Sequence, residues 1–401
     1  MRVFVFDLLP YKENLDHLKK DGELPWPLGK RYFKPQVAVE SYAEHLAAWE
    51  AMEHYGFDGV VVNEHHGTPY GLMNSPNLLV ASIAQRTKKL RLMMLGNLLP
   101  LHEPLRLAEE LAMLDCLSGG RLEAGMARGA PREYRIYNIP LHESRGRFDE
   151  TFEIMRQAWT EESFSYEGKF HSYKDVAIWP RPVQQPHPPL WAPVGSKESI
   201  EWAARNNVGI TPGGAPGAGR ADTIKHYAKI QAEHGRKVTP AHINVQVHCY
   251  VADSKDQAER ELGPYQAYLS NTLLPFDHQE SMEDIRKAGY YTAQSQGHLS
   301  APPAVSVPGG GSKGLWGGGM TPERWHAMVQ MGAYGTPDEV CEKIIEVAED
   351  AGAGTIMLMC NPGALPQELF LNQIKRLGKE VVPRLQAHKI TRVKAAEGIG
   401  D

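Results

Sequence analysis

The chain has 401 residues, 42% apolar and 23% charged, a balance that suits a globular protein with a large buried core. A formal net charge of −5 and the lack of any long basic run argue against nucleic-acid or anionic-membrane binding. Residues 90–101, the longest apolar stretch, include Arg91 and are too short to cross a bilayer, so neither a membrane span nor a signal peptide is expected. Four dispersed cysteines (Cys116, Cys249, Cys341, Cys360) form no C-x-x-C pair, which fits a reducing cytoplasm rather than a zinc knuckle or disulfide scaffold.

Short β-rich runs alternate with helical ones along the chain. Arg2–Phe6 reads as a strand, 36–55 as a helix, Gly59–Val62 as a buried strand, and 75–85 as a helix opened by Ser75-Pro76. A strand at 90–95, a helix at 103–117, a strand at 122–126 and a helix at 145–160 follow. Residues 164–189 interrupt with a polar–aromatic alternation and five prolines, suggesting a hairpin-like insertion. The series resumes with strand Leu190–Val194, helix 196–206, strand 208–211, helix 222–234, the long alternating strand 243–251 and helix 254–270. After a Gly/Pro/Ser-rich stretch at 273–334, helix 337–350, strand Thr355–Met359 and helix 366–384 close it. Eight strands, each followed by a helix, argue for a parallel sheet. Eight units favour a closed (β/α)8 TIM barrel over an open doubly wound sheet. The expected organisation is one barrel over residues 1–388, with insertions at its C-terminal face (11–35, 164–189, 273–334), and a polar tail, 389–401, that frays.

In such a barrel the chemistry lies past the C-terminal ends of the strands. Asn63-Glu64-His65-His66-Gly67 follows strand two; Gly96-Asn97 and then Pro100-Leu101-His102-Glu103-Pro104 follow strand three. Arg128 follows strand four, and Gly195-Ser196-x-x-Ser199 follows strand five and opens a helix. The Glu-His-His triplet suits metal ligation, acid–base chemistry near neutral pH, or plain packing of a loop. The usual barrel-hydrolase H-x-H after strand one is absent, because Phe6-Asp7-Leu8 stands there, and no metal is expected. A glycine and two hydroxyls at a helix N-terminus, with Arg128 on the preceding strand end, make a phosphate site or an ordinary capped helix.

The stretches 59–67 (GVVVNEHHG), 98–106 (LLPLHEPLR), 108–129 (AEELAMLDCLSGGRLEAGMARG), 193–204 (PVGSKESIEWAA) and 335–340 (GTPDEV) resemble the bacterial luciferase-like, flavin-dependent monooxygenases. The resemblance implies a TIM barrel, usually dimeric, that reacts reduced FMN with O2 to a flavin peroxide and oxygenates a small organic substrate. It implies a separate NAD(P)H:flavin reductase. His65 would be the catalytic base, supported by Glu64 and His66; Arg128, Ser196 and Ser199 would hold the FMN phosphate at Gly195. Gly96 and Asn97 would line the isoalloxazine, beside a non-prolyl cis peptide that the family often carries. Arg145 falls where some members have another phosphate ligand, or else pairs structurally. Ala127 and Gly195 replace a cysteine and an acidic residue of bacterial luciferase, so light emission is not implied. A deazaflavin-dependent oxidoreductase without oxygen insertion, and a flavin-binding barrel without catalysis, are the alternatives. The Gly-rich segment 300–319 reads either as a lid over bound flavin and substrate or as a plain disordered loop.

Overall fold

The computed structural model describes residues 1–213, 218–277 and 319–399; the Gly-rich segment 300–319 lies almost wholly outside them. Eight parallel strands run through the core: β1 (Arg2–Phe6), β2 (Gly59–Val62), β3 (Arg91–Leu98), β4 (Leu122–Ala127), β7 (Leu190–Val194), β8 (Gly209–Pro212), β9 (Asn244–Val251) and β11 (Thr355–Met359). Their order is β9-β11-β1-β2-β3-β4-β7-β8, and a three-residue strand, β10 (Ala333–Gly335), pairs in parallel with the end of β9. A parallel bridge between Ile210 and Ile243 joins β8 back to β9, and the Thr211 hydroxyl donates to Asn244 Oδ1 at 2.5 Å across the same seam. The ring is therefore closed, and the barrel expected from the alternation is what forms.

The alternation has a simple physical cause. A barrel strand is covered by helices outside and packs side chains inside, so both faces are dry. β2 (GVVV) and β11 (TIMLM) are buried at every position. Outside lie α1 (Pro35–His54), α2 (Pro76–Arg86), α3 (Pro104–Ser118), α5 (Ser144–Thr160), α6 (Lys197–Arg205), α7 (Ala218–Glu233), α8 (Lys255–Tyr268) and α11 (Pro337–Ala351). Proline in the first turn of α1, α2, α3 and α11 sets the helical φ where no N–H partner is needed. Inside, Phe4, Val61, Met93, Trp191 and Met357 form an apolar layer. Below it Glu123 is fully buried, with Arg2 Nη1 at 2.5 Å, the Arg91 guanidinium and Trp191 Nε1 at 2.8 Å all donating to its carboxylate.

Three features depart from the sequence expectations, and a fourth, the hairpin, meets them. β3 runs to Leu98, so Gly96 and Asn97 lie within the strand, where its pairing with β4 shifts register between Met94 and Asn97. A short helix, α4 (Pro131–Ile136), follows β4. Residues 164–189 do form an antiparallel hairpin, β5 (Phe164–Glu167) with β6 (Ser172–Val176), whose Tyr173 hydroxyl reaches Glu103 at the start of α3. The tail does not fray through its described length: Val393 is buried in the main core and Ile390, Ala395 and Ile399 pack on it, because Gly352 leaves room for the chain to cross it.

Arg121 ties this framework together. Its guanidinium donates to the carbonyls of Ala84, Thr87, Leu90 and Ser118 and to Thr87 Oγ1, all at 2.7–3.1 Å. The Ala84, Thr87 and Ser118 carbonyls are the open ends of α2 and α3, which no intrahelical partner satisfies, and Leu90 leads into β3. Arg121→Met should therefore lower unfolding free energy by about 3 kcal/mol, read as a reduced urea midpoint with an unchanged slope.

Candidate active site

The strand ends bring most of the polar residues read from the sequence to one side of the barrel mouth. Glu64, just past β2, is 2% exposed. Its carboxylate accepts from His66 Nε2 at 2.9 Å, from His102 Nε2 at 2.8 and 3.0 Å, from Asn97 Nδ2 at 3.2 Å and from the Leu98 amide at 3.1 Å. Burial by itself would raise its pKa, but the hydrogen bonds from His102 and His66 outweigh that and hold it down to about 2. The same geometry acts on His102 in reverse: burial would lower its pKa, yet Glu64 turns the net shift upward. Since an ionised carboxylate only accepts, both imidazoles must present N–H to it. The other nitrogen of His66, Nδ1, then accepts from the Tyr137 hydroxyl at 3.0 Å.

His65 is the most open member of the triplet. Its Nδ1 lies 3.5 Å from Glu133 Oε1 and its ring sits edge-on to Tyr70. Glu133, on α4, accepts from the His66 and Ala130 amides and so ties the triplet to the turn after β4. Asn97 is fully buried; Nδ2 also bonds Asn77 Oδ1 at 3.1 Å, while its own Oδ1 has no partner. The Leu95–Gly96 peptide preceding it is cis. Gly96 and Gly125 face each other across β3 and β4: a Cβ on Gly125 would lie 1.9 Å from the Met94 carbonyl oxygen. Among the described residues no group of three or more His, Cys, Asp or Glu is arranged to hold a metal ion.

A second cluster forms at the ends of β4 and β7. Ser196 caps α6, its Oγ accepting from the Ser199 amide, while Ser199 Oγ accepts from the amides of Gly195 and Ser196 at 3.3 and 3.2 Å. Arg145 lies beside this turn, 3.7 Å from Glu198 and 3.6 Å from Asp149, distances too long for hydrogen bonds. Its Nε and Glu198 Oε2 are buried without partners. Burial and then the like charge of Arg128 push the Arg145 pKa down. Two guanidinium charges thus sit close together at a helix N-terminus, an arrangement that favours an anion. Between and below the clusters the barrel opens. Phe6, Leu95, Pro193, Thr211, Gln246 and His248 retain accessible surface while the strand positions packed against the helices do not.

The sequence reading placed His102 past strand three without giving it a role, and missed Glu133, Asn77 and Tyr137. His102 carried a signal, standing between Pro100 and Pro104 past an apolar strand; the others reach the site through α4 and α2, whose placement no spacing encodes. The network makes a pH prediction. Glu64→Gln should lower the His102 pKa, because burial is then opposed only by the charge of Glu110. In the parent protein the stabilisation held by His102 is full below pH ~6.5 and lost as pH rises through its folded value; that held by Glu64 is full above ~4.5 and lost as pH falls toward 2. Imidazole NMR titration of both proteins checks the first. Urea midpoints between pH 2 and 9 check the second.

The sequence model of the luciferase-like monooxygenases matches residues 24–355. The oxygenase component of a flavin-dependent trigonelline monooxygenase from Acinetobacter baylyi is 28% identical over 235 residues, 57% of this chain and 65% of that protein. The chain spans about half to two thirds of the length of the curated relatives that head the matches, 54% and 65%. The crystal structure of monooxygenase RslO1 from Streptomyces bottropensis aligns with a TM-score of 0.70 at 26% identity, over 96% of this chain and 100% of that one. The oxygenating constituent of 3,6-diketocamphane monooxygenase from Pseudomonas putida, solved with FMN, shares the fold with a TM-score of 0.68 at 18% identity, over 96% and 98% of the two chains. With its closed barrel, its Glu-His-His turn and a family match that spans most of its length, the chain belongs to the luciferase-like monooxygenases.

Proposed function

We propose that this protein is a flavin-dependent monooxygenase that uses reduced FMN and O2 to oxygenate a small organic substrate. The observation that carries the cofactor is Arg145, its Nε buried without a hydrogen-bond partner and the like charge of Arg128 beside it, at the Gly195-Ser196-Ser199 helix start. A phosphate would relieve the charge repulsion and take up the unpartnered Arg145 Nε. Asn97 Oδ1, buried and unpartnered at the other end of the site, fits a ring N–H donor such as a flavin offers. Reduced flavin, when bound, supplies the electrons that activate O2.

The protein's own share is binding, water exclusion and proton handling. Arg128, Arg145 and the two serines hold the phosphate. Glu64 accepts from His66 and His102 and locks both rings, so neither rotates into the cavity. His65, partly open and aimed by Glu133 and Tyr70, is left to exchange a proton with a bound substrate or cofactor. The apolar lumen below them excludes water from the reacting centre. A relative that is an oxygenase component supports delivery of the reduced flavin by a separate reductase.

In a coupled assay with FMN, NADH and a generic flavin reductase, His65→Ala should divert consumed O2 to hydrogen peroxide while FMN affinity stays within about twofold. An unchanged product-to-peroxide ratio would remove the proton-exchange role. Arg128→Ala should weaken FMN binding by roughly 1.5–3 kcal/mol, the range for a charge-assisted hydrogen bond, by anaerobic titration with reduced FMN. Wild-type protein that binds no reduced FMN in that titration would sink the oxygenase reading.

A further inference from the structure

β9 sorts its side chains cleanly. Val245, Val247 and Cys249 belong to the outer core against the helices, so Asn244, Gln246 and His248 face the lumen. His248 is register partner of Met359 on β11, and the Gln246 amide rests 3.0 Å from the Met359 sulfur. Met359 in turn packs with Leu8, Leu269, Leu273 and Phe6. His248 is only partly buried, and its place in the alternation turns it toward the interior of the barrel. In a ring of eight strands β9 lies opposite β3, the strand that carries Gly96 and Asn97.

The two walls differ in kind. On the β2–β3 side the polar groups are bound to one another around Glu64. On the β9–β11–β1 side, Phe6, Leu8 and Met359 are apolar, and the His248 ring has no hydrogen-bond or ion-pair partner among the described residues. Such a ring, kept neutral, offers one N–H donor and one lone pair to whatever fills the cavity. Its surroundings keep it so: burial lowers its pKa to about 4, with no charged side chain opposing. A carboxylate or ammonium entering here would meet apolar side chains and no countercharge, whereas a hydroxyl would find its complement.

We propose that His248 anchors the substrate, and that this wall takes an uncharged, largely apolar molecule bearing a hydroxyl group. The proposal rests on the oxygenase reading above for the word substrate, but the binding it describes needs neither flavin nor oxygen. The step is hydrogen bonding alone; no proton is transferred to His248.

The test uses three probes of one shape on the full chain: 4-methylphenol, 1,4-dimethylbenzene and 4-methylbenzoate, with binding followed by the ring-nitrogen NMR signals of His248. 4-Methylphenol should bind on the order of tenfold more tightly than 1,4-dimethylbenzene and shift both ring nitrogens, with 4-methylbenzoate weakest. His248→Phe should erase the preference for the phenol while keeping the hydrocarbon; His248→Gln, which still hydrogen-bonds, should restore much of it. Equal binding of the phenol and the hydrocarbon, tighter binding of the benzoate, no binding of the phenol, or an unchanged preference in His248→Phe would each overturn the assignment. Because these measurements omit flavin, a failure here leaves the reduced-FMN titration standing, and a failure of that titration leaves the cavity's hydroxyl preference standing.

Discussion

One buried carboxylate organises the mouth of this barrel. Removing an ionised Glu64 from water would be prohibitive by several kcal/mol unless its oxygens were supplied with donors, and the fold supplies four: His66 Nε2, His102 Nε2 shared between both oxygens, Asn97 Nδ2 and the Leu98 amide. Those donors come from the ends of β2 and β3 and from the loop that leads into α3. Satisfying one charge therefore fixes the relative position of three chain segments. It also decides two histidine protonation patterns, because a carboxylate with a pKa near 2 leaves neither imidazole free to turn its lone pair inward. The register shift between Met94 and Asn97 belongs to the same constraint, since it carries the Asn97 side chain to Glu64.

The second charged cluster is built on the opposite logic. At the β4 and β7 ends Arg145 is incompletely paired: it stands more than 3.5 Å from both of its carboxylates and feels the like charge of Arg128 as well. A protein that needed only stability would close those distances. Left open beside the amide donors of α6, the same charges form a receptor for an anion. The contrast between a saturated anion, Glu64, and an incompletely paired cation, Arg145, separates the part of the site that is finished in the folded protein from the part that a ligand completes.

Several features were legible in the sequence because they follow from short-range rules. The period-two and period-3.6 apolar patterns placed all eight barrel strands, and Ser75-Pro76, Pro104 and Pro337 marked true helix starts. Glu64, His65, His66, Arg128 and Ser196 could be picked out because each interrupts or follows an apolar run at a strand end. Other features left no local trace. The extension of β3 through Gly96 and Asn97 depends on Gly125 of the neighbouring strand, whose missing side chain allows the backbones to approach. α4 was invisible because six residues carry too little periodicity, yet it delivers Glu133 to the triplet. The tail looked polar by composition, while its one decisive residue, Val393, finds a pocket over Gly352 only when the barrel has closed.

What the sequence by itself determined is the alternation of strands and helices, hence a parallel barrel, and the chemical types gathered at its strand ends. Those depend on nearest-neighbour periodicity and on the rule that a strand buried on both faces must be apolar. What only the tertiary structure decided is pairing: that His102 rather than His65 shares Glu64 with His66, that Arg145 faces Arg128, and that His248 stands on an apolar wall opposite the strand of Asn97. Each pairing joins residues from different strands or loops. Such contacts arise from the closure of β8 onto β9 and the stagger of the ring, which no single segment of the chain encodes.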